Sequence, residues 1–245
     1  MRVLSSIFLI TTILVNLSYA QEAEKEPKKF KKKPAKKERM LISLTADNLI
    51  QTSSYYEINP YNSRGVDIAM LYDLIIKKSQ FSVALGGGFN SVNIKSNAFP
   101  VNYLTSDGGS FTKMDTSFFS GATLKQSKIS LNYIDIPFEL RWRSKSQGKK
   151  RKRASIAIGF EIGFLVQSHT KTSTEEDLIH NGVNLGSMFK TYDIENLNPI
   201  KYGVTLRVGF ANFYTIGYYG LSQVFNKGTG TPANVLSVGI GFSPF

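Results

Sequence analysis

The chain contains no cysteine, so whatever fold it adopts is held without disulfides. Histidine is almost as scarce: His169 and His180 are the whole supply. Neither stands in an acid–His or His-x-Ser pairing of the kind that activates a hydrolytic nucleophile. Glu175-Glu176-Asp177 lies between them, but its spacing matches no ligand pattern. It reads as a solvated acidic run, and the sequence asks for no metal and no cofactor. Long apolar runs are missing as well. Beyond the start of the chain, nothing approaches the ~18 apolar positions of a membrane-crossing helix.

The body of the chain also lacks an excess of charge. The net +12 resides in three places. Arg2 adds one; residues 21–39 carry nine Lys or Arg against four Glu; residues 144–153 carry six Lys or Arg and no acid. Everything else balances, which argues against a basic nucleic-acid-binding face on the folded part. Inside a cell, Lys149-Lys150-Arg151-Lys152-Arg153 would read as a nuclear or nucleic-acid patch. The start of the chain points to export instead. Arg2, the apolar run Val3 to Val15 and the small residues of Ser18-x-Ala20 predict a signal peptide over residues 1–20, cleaved before Gln21. No Cys follows that junction, which excludes an N-terminal lipid anchor. Residues 21–39 are rich in Lys, Glu and Pro and hold a single Phe. They bury too little apolar area to order themselves, and they read as a basic disordered tail.

From Met40 the pattern takes a period of two. Ile156, Ile158, Phe160, Ile162, Phe164 and Val166 alternate with Ser155, Ala157, Gly159, Glu161, Gly163 and Leu165. A strand sends alternate side chains to opposite faces, so this strand has one large apolar face and one small or polar face. The alternation recurs in Tyr202–Phe210, Leu236–Ser243, Val66–Leu74 and Ile134–Arg143. It is weaker in Met40–Thr52, Phe81–Ile94 and Phe213–Phe225. Eight strands result, each near or above the ~9–11 residues that a tilted strand uses to cross a bilayer. Connections 77–80, 144–152 and 211–212 are short. Connections 97–126 and 171–198 are long, with 53–63 and 226–233 between those extremes. Short turns on one side, longer loops on the other and both termini on the turn side fit a membrane barrel with its turns in the periplasm.

A soluble barrel alternates too, so the character of each face decides. The small face is rich in Gly, Ser and Ala, which suits a narrow lumen better than a solvated exterior. The apolar face of the three best-defined strands carries no charge, as a lipid-facing surface requires. Phe81, Trp142, Phe210, Tyr214 and Phe242 gather near the turn side, where an aromatic girdle belongs. The predicted fold is all-β: an eight-stranded antiparallel up-and-down transmembrane β-barrel over residues 40–245. Its place is the bacterial outer membrane, with residues 21–39 in the periplasm. Asp67, Asp73, Asp135, Glu139, Arg141, Glu161 and Arg207 fall on the inward face. Buried charges must pair, and an eight-stranded interior is just wide enough for side chains to fill. A plugging ion-pair network is therefore expected, with a pore lining or ligand site as the other reading. Pro137 lacks a ladder donor, which predicts a bulge. Gly86-Gly87-Gly88 reads as small lumen packing or a bulge, not a phosphate loop. Phe245, closing the chain after an alternating strand that should stop at Ser243, reads as an insertion signal.

Several motifs resemble those of PorT-like outer-membrane β-barrels. They are Tyr133-Ile134-Asp135-Ile136-Pro137-Phe138-Glu139-Leu140-Arg141, Lys201-Tyr202-Gly203-Val204 leading to Tyr218-Tyr219-Gly220-Leu221, and the last Gly-alternating strand. The resemblance covers about residues 40–245 and implies a small barrel; the family's namesake serves a type IX secretion system. The resulting expectation is a non-enzymatic structural or interaction barrel, an accessory of protein secretion. It would contact outer-membrane lipid and dock protein partners through its outer loops and the basic patch Lys149, Lys150, Arg151, Lys152 and Arg153, with no role for nucleic acid. The alternatives are a narrow pore or small-ligand-binding barrel and, third, a membrane-embedded hydrolase working from the long loops.

Overall fold

The computed structural model describes residues 40–50, 56–76, 79–116, 123–144, 154–180, 183–192 and 194–244. The expected signal peptide, the tail, the basic run Lys149 to Arg153 and Phe245 lie outside the described residues. Among those described there are eleven strands and no helix. They are β1 (Met40–Ile50), β2 (Arg64–Ile75), β3 (Phe81–Ser96), β4 (Phe99–Leu104), β5 (Ser110–Asp115), β6 (Leu124–Arg143), β7 (Ala154–His180), β8 (Val183–Thr191), β9 (Ile200–Phe210), β10 (Phe213–Gln223) and β11 (Asn234–Phe242).

Eight of these close a ring. β1, β2, β3, β6, β7, β9, β10 and β11 each pair antiparallel with the next, and β11 pairs back with β1. The up-and-down order follows from the short connections, and closure leaves the ring without an open edge. Register places like with like around the wall. Ile42, Ile68, Phe89, Ile134, Phe164 and Ile200 form one row across six strands. This row belongs to a broad apolar belt of exposed side chains running down to Phe81, Leu140, Ile156 and Phe210. Inward rows have the opposite character. Asp73, Ala84, Glu139, Gly159, Thr205, Tyr218, Ser237 and Asp47 follow one another around the whole ring. The all-β eight-stranded barrel expected from the alternation is the fold observed.

The turn end carries the β2–β3, β6–β7 and β9–β10 connections. Phe81 sits opposite Trp142, and Phe213 opposite both Phe210 and Phe242, so a girdle rings this end. Tyr214 corrects the sequence reading: it is buried, pointing inward, and its neighbour Phe213 takes the girdle position. β11 ends at Phe242, one residue before Ser243, although the Ser243 N–H still donates to the Asn212 carbonyl at 2.8 Å. The β9–β10 turn places Ala211 at φ 59°, a left-handed conformation that a Cβ disfavours. Ala211→Gly is expected to stabilise the barrel by about 0.5–1 kcal/mol. A urea titration in lipid vesicles would show this as a raised midpoint, and an unchanged or lowered midpoint would refute it.

Two other expectations need correction. Pro137 produces no bulge. It pairs in continuous register with Glu161 on β7, and on the β3 side the register is identical above and below it. The missing donor is absorbed by leaving the ladder open opposite Gly86 and Gly87. The bulges lie elsewhere. On β7, Val166 is an extra residue between the Tyr133–Leu165 and Asn132–Gln167 pairs. It flips the strand, so that Leu165 and the odd residues below it point inward, whereas above it Thr170, Thr172 and Thr174 are the buried ones. The long connections 97–126 and 171–198 also contain strands that the alternation does not predict. β6 and β7 continue beyond the belt as a two-stranded arm, β8 folds back along β7, and the 97–126 stretch contains the β4–β5 hairpin.

Candidate functional site

The lumen is built from residues that the alternation turns inward, and small residues decide where the charges meet. Asp135, Gly163 and Lys201 occupy one row on β6, β7 and β9. Because Gly163 has no side chain, Lys201 Nζ reaches across it to Asp135 Oδ2 at 3.0 Å. A Cβ at Gly163 would collide with both partners. The same ammonium meets Glu161 Oε1 at 2.9 Å and donates to Asn90 Oδ1 at 2.9 Å. The rings of Tyr133 and Tyr218 lie 4.8 and 5.0 Å from it, close enough for a cation–π contribution.

A second cluster lies nearer the turn end. Arg141, Ala157 and Arg207 share a row. The two guanidiniums flank the small Ala157 and converge on Glu139: Arg141 Nε donates to Oε2, and Arg207 Nη2 donates to the same oxygen at 2.9 Å. Arg143 Nη2 donates to Asp73 Oδ2 at 2.7 Å, its Nη1 donates to Ser82 at 2.9 Å, and Arg141 Nη1 lies 4.0 Å from Asp73. Arg207 stacks 5.1 Å from the Tyr214 ring, whose hydroxyl is 3.0 Å from Ser43 Oγ. Asp73, Asp135, Glu139, Arg141, Glu161 and Arg207 are all buried. Asp67 is half-buried and lines a cavity of about 20 Å³ together with Asn90, Glu161 and Tyr218. A second cavity, about 10 Å³, touches Tyr133, Lys201 and Tyr218. Each has room for about one water molecule.

Three members of this network were not singled out from sequence. Arg143 obeys the β6 alternation and was legible. Lys201 is the second residue of β9, one before the alternating run from Tyr202, so it reads as a strand boundary. Asp47 is fully buried on β1, accepting from the Asn93 N–H at 3.0 Å and from Thr45 Oγ1 at 2.8 Å. Its strand alternates too weakly to reveal its direction.

Above the charges, the loop end is sealed by an apolar core. Leu49, Ile94, Leu131, Tyr133, Phe225 and Val235 are among its buried members. The β4–β5 hairpin locks onto the β10–β11 loop. The Thr112 N–H donates to the Thr229 carbonyl at 2.9 Å, and the Thr231 N–H donates to the Thr112 carbonyl at 3.0 Å. Asn196 Nδ2 donates to Ser110 Oγ at 3.1 Å and to Thr112 Oγ1 at 3.0 Å, tying in the segment before β9.

His169 lies on the outer face of the β7 arm with its ring 5.7 Å from that of Tyr192. Burial, and then Lys190 and Lys128, lower its pKa from the ordinary imidazole value. The side chain of His180 lies outside the described residues. Glu175, Glu176 and Asp177 are exposed on the same arm. Among the described residues, no group of three or more His, Asp or Glu side chains converges to hold a metal ion.

A closed ring of eight strands with an apolar exterior and a charged, filled interior defines a transmembrane β-barrel. The chain belongs to the outer membrane protein beta-barrel domain family, whose model matches residues 98–226, from the start of the hairpin region through β10. No curated protein and no solved structure matches it.

Proposed function

We propose that this protein is a sealed outer-membrane barrel that works by holding partners outside its lumen, as an accessory component of a type IX-like protein secretion system. The observation that carries the reading is the double closure of the interior. Paired charges fill the lumen, with residual cavities of about 20 and 10 Å³, and the apolar core covers the loop end. A solute path would have to open both. What remains for function is the outside: the loop-end elements, facing the cell exterior, and the basic residues 144–153 and 21–39, facing the periplasm. The β6–β7–β8 arm stands beyond the belt, and β8 has no strand partner on its far edge among the described residues. An unpaired edge accepts an extended segment of another chain. The assignment to secretion rests on the resemblance to PorT-like barrels. No catalytic constellation is proposed.

Two experiments test the reading. Gly228, at φ 85° with open space around it, is a suitable tag site. Affinity capture from detergent-solubilised outer membrane is expected to recover secretion-machinery proteins in stoichiometric amount; recovery of the barrel alone contradicts the interaction role. In planar bilayers the purified protein is expected to give no steady current. Large, stable single-channel currents would favour the pore reading instead.

A further inference from the structure

Register brings four lysines into a single row. Lys95 on β3 pairs with Lys128 on β6, Lys128 with Lys171 on β7, and Lys171 with Lys190 on β8. With neighbouring strands about 4.8 Å apart, the row spans on the order of 15 Å. Lys95, Lys128 and Lys171 fall on the outer wall, because the inward positions beside them (Ile94, Ser96, Ser127, Ile129, Thr170 and Thr172) are buried, and Lys190, exposed on β8, lies opposite Lys171 in register. Lys171 takes its place only because the extra residue Val166 turns β7 over; without that bulge it would face the interior.

Like charges directly opposite on adjacent strands destabilise a sheet. This row places three such pairs side by side, and no ion pair among the described residues relieves them. Burial, followed by the charges of Lys95, Lys171 and Lys190, lowers the Lys128 pKa, and no carboxylate acts against that trend. The acids of the arm, Glu175, Glu176 and Asp177, lie farther along β7, away from the belt. Such an arrangement fits a ligand carrying several negative charges.

The height of the row selects the ligand. Lys128 is six residues beyond Ile134, the last exposed apolar residue of the belt on β6. That is about 20 Å along the strand and about 15 Å above the belt at a usual tilt. Two intervening rows are uncharged: Ser91, Asn132 and Gln167, then Asn93, Ser130 and His169. Phospholipid headgroups occupy only about 5–8 Å beyond the hydrocarbon, well below Lys128 at the centre of the row. A glycolipid with an extended anionic saccharide reaches it.

We infer that Lys95, Lys128, Lys171 and Lys190 form a docking row for the phosphate- and carboxylate-bearing saccharide of outer-leaflet lipopolysaccharide. The inference rests on the outer-membrane orientation proposed above. Its test uses the full chain in detergent, with purified lipopolysaccharide and phosphatidylglycerol vesicles as probes over a salt series. The wild-type protein is expected to prefer lipopolysaccharide, with affinity falling as salt rises. K95Q/K128Q/K171Q/K190Q should bind it at least about tenfold more weakly, as loss of several lysine contacts with an anionic surface requires, and with a shallower salt dependence. The corresponding fourfold Lys→Arg variant should retain binding. Heat-dependent gel migration, unchanged in each variant, shows that the barrel is folded. Undiminished binding by the glutamine variant, or equal binding of both probes by the wild type, overturns the inference. Orientation is checked separately with K190C, the only cysteine in that variant. A membrane-impermeant maleimide should label it on intact cells. Absence of labelling there, with normal labelling of the detergent-solubilised protein, would refute the orientation and not the anion preference of the row.

Discussion

Lys201→Met is expected to destabilise the barrel by about 3–5 kcal/mol, the usual result of removing one partner from a buried ionic cluster. Lys201 is the ammonium that Asp135, Glu161 and Asn90 share. Its loss leaves two carboxylates close together inside a wall that hydrocarbon surrounds. Methionine has nearly the length of the lysine stem, so most of the packing against Tyr133 and Tyr218 survives and the charge effect dominates. The compensated variant K201M/D135N/E161Q should recover much of the loss, because neutral amides no longer repel one another. Urea unfolding in vesicles, followed by the fluorescence of the single tryptophan, Trp142, reads both variants. A loss below about 1 kcal/mol for Lys201→Met, the range of an exposed pair, would mean that water reaches the cluster and that the lumen is open.

Val204→Arg carries the second large effect. Val204 lies near the middle of the exposed apolar series on β9, between Ile200 and Phe210. In a bilayer an arginine at mid-depth costs about 2–4 kcal/mol, falling to about 0–1 kcal/mol near an interface. Val204→Arg should therefore destabilise strongly, and Ile200→Arg, at the loop-end rim, only slightly. On a water-exposed wall both substitutions would stay within about 0.5 kcal/mol. The contrast between the two positions is the signature, since general damage to the strand would affect both.

Much of this was legible in the sequence because the two faces of the wall differ so strongly. Where Ile and Phe alternate with Gly and Ala, as in β7 from Ser155 to Leu165, one residue of slip would put every side chain on the wrong face. The pattern therefore fixed which charges turn inward. It failed where the contrast vanished. Above Val166 the outward Lys171 and Ser173 and the inward Thr170 and Thr172 are all polar, so the strand continuing to His180 read as loop. The bulge itself depends on pairing with β6 and leaves no mark in composition. Pro137 misled for a related reason: the open stretch of ladder it faces lies at Gly86 and Gly87 on a different strand. Tyr214 was placed in the girdle by its residue type, although Arg207 and Ser43 hold it inside. The lysine row was invisible for the same reason as the bulge, since its members lie on four strands and only register aligns them.

The central claim, a lipid-embedded wall around a closed interior, is tested most directly on β9. The chain has no cysteine, so each cysteine introduced singly from Tyr202 to Gly209 carries a unique nitroxide label. In reconstituted protein, labels at 202, 204, 206 and 208 are predicted to collide readily with oxygen and poorly with a water-soluble nickel complex, most extremely at the central positions. Labels at 203, 205, 207 and 209 should be shielded from both. Outward positions that meet the nickel complex freely would place that face in water and contradict the account.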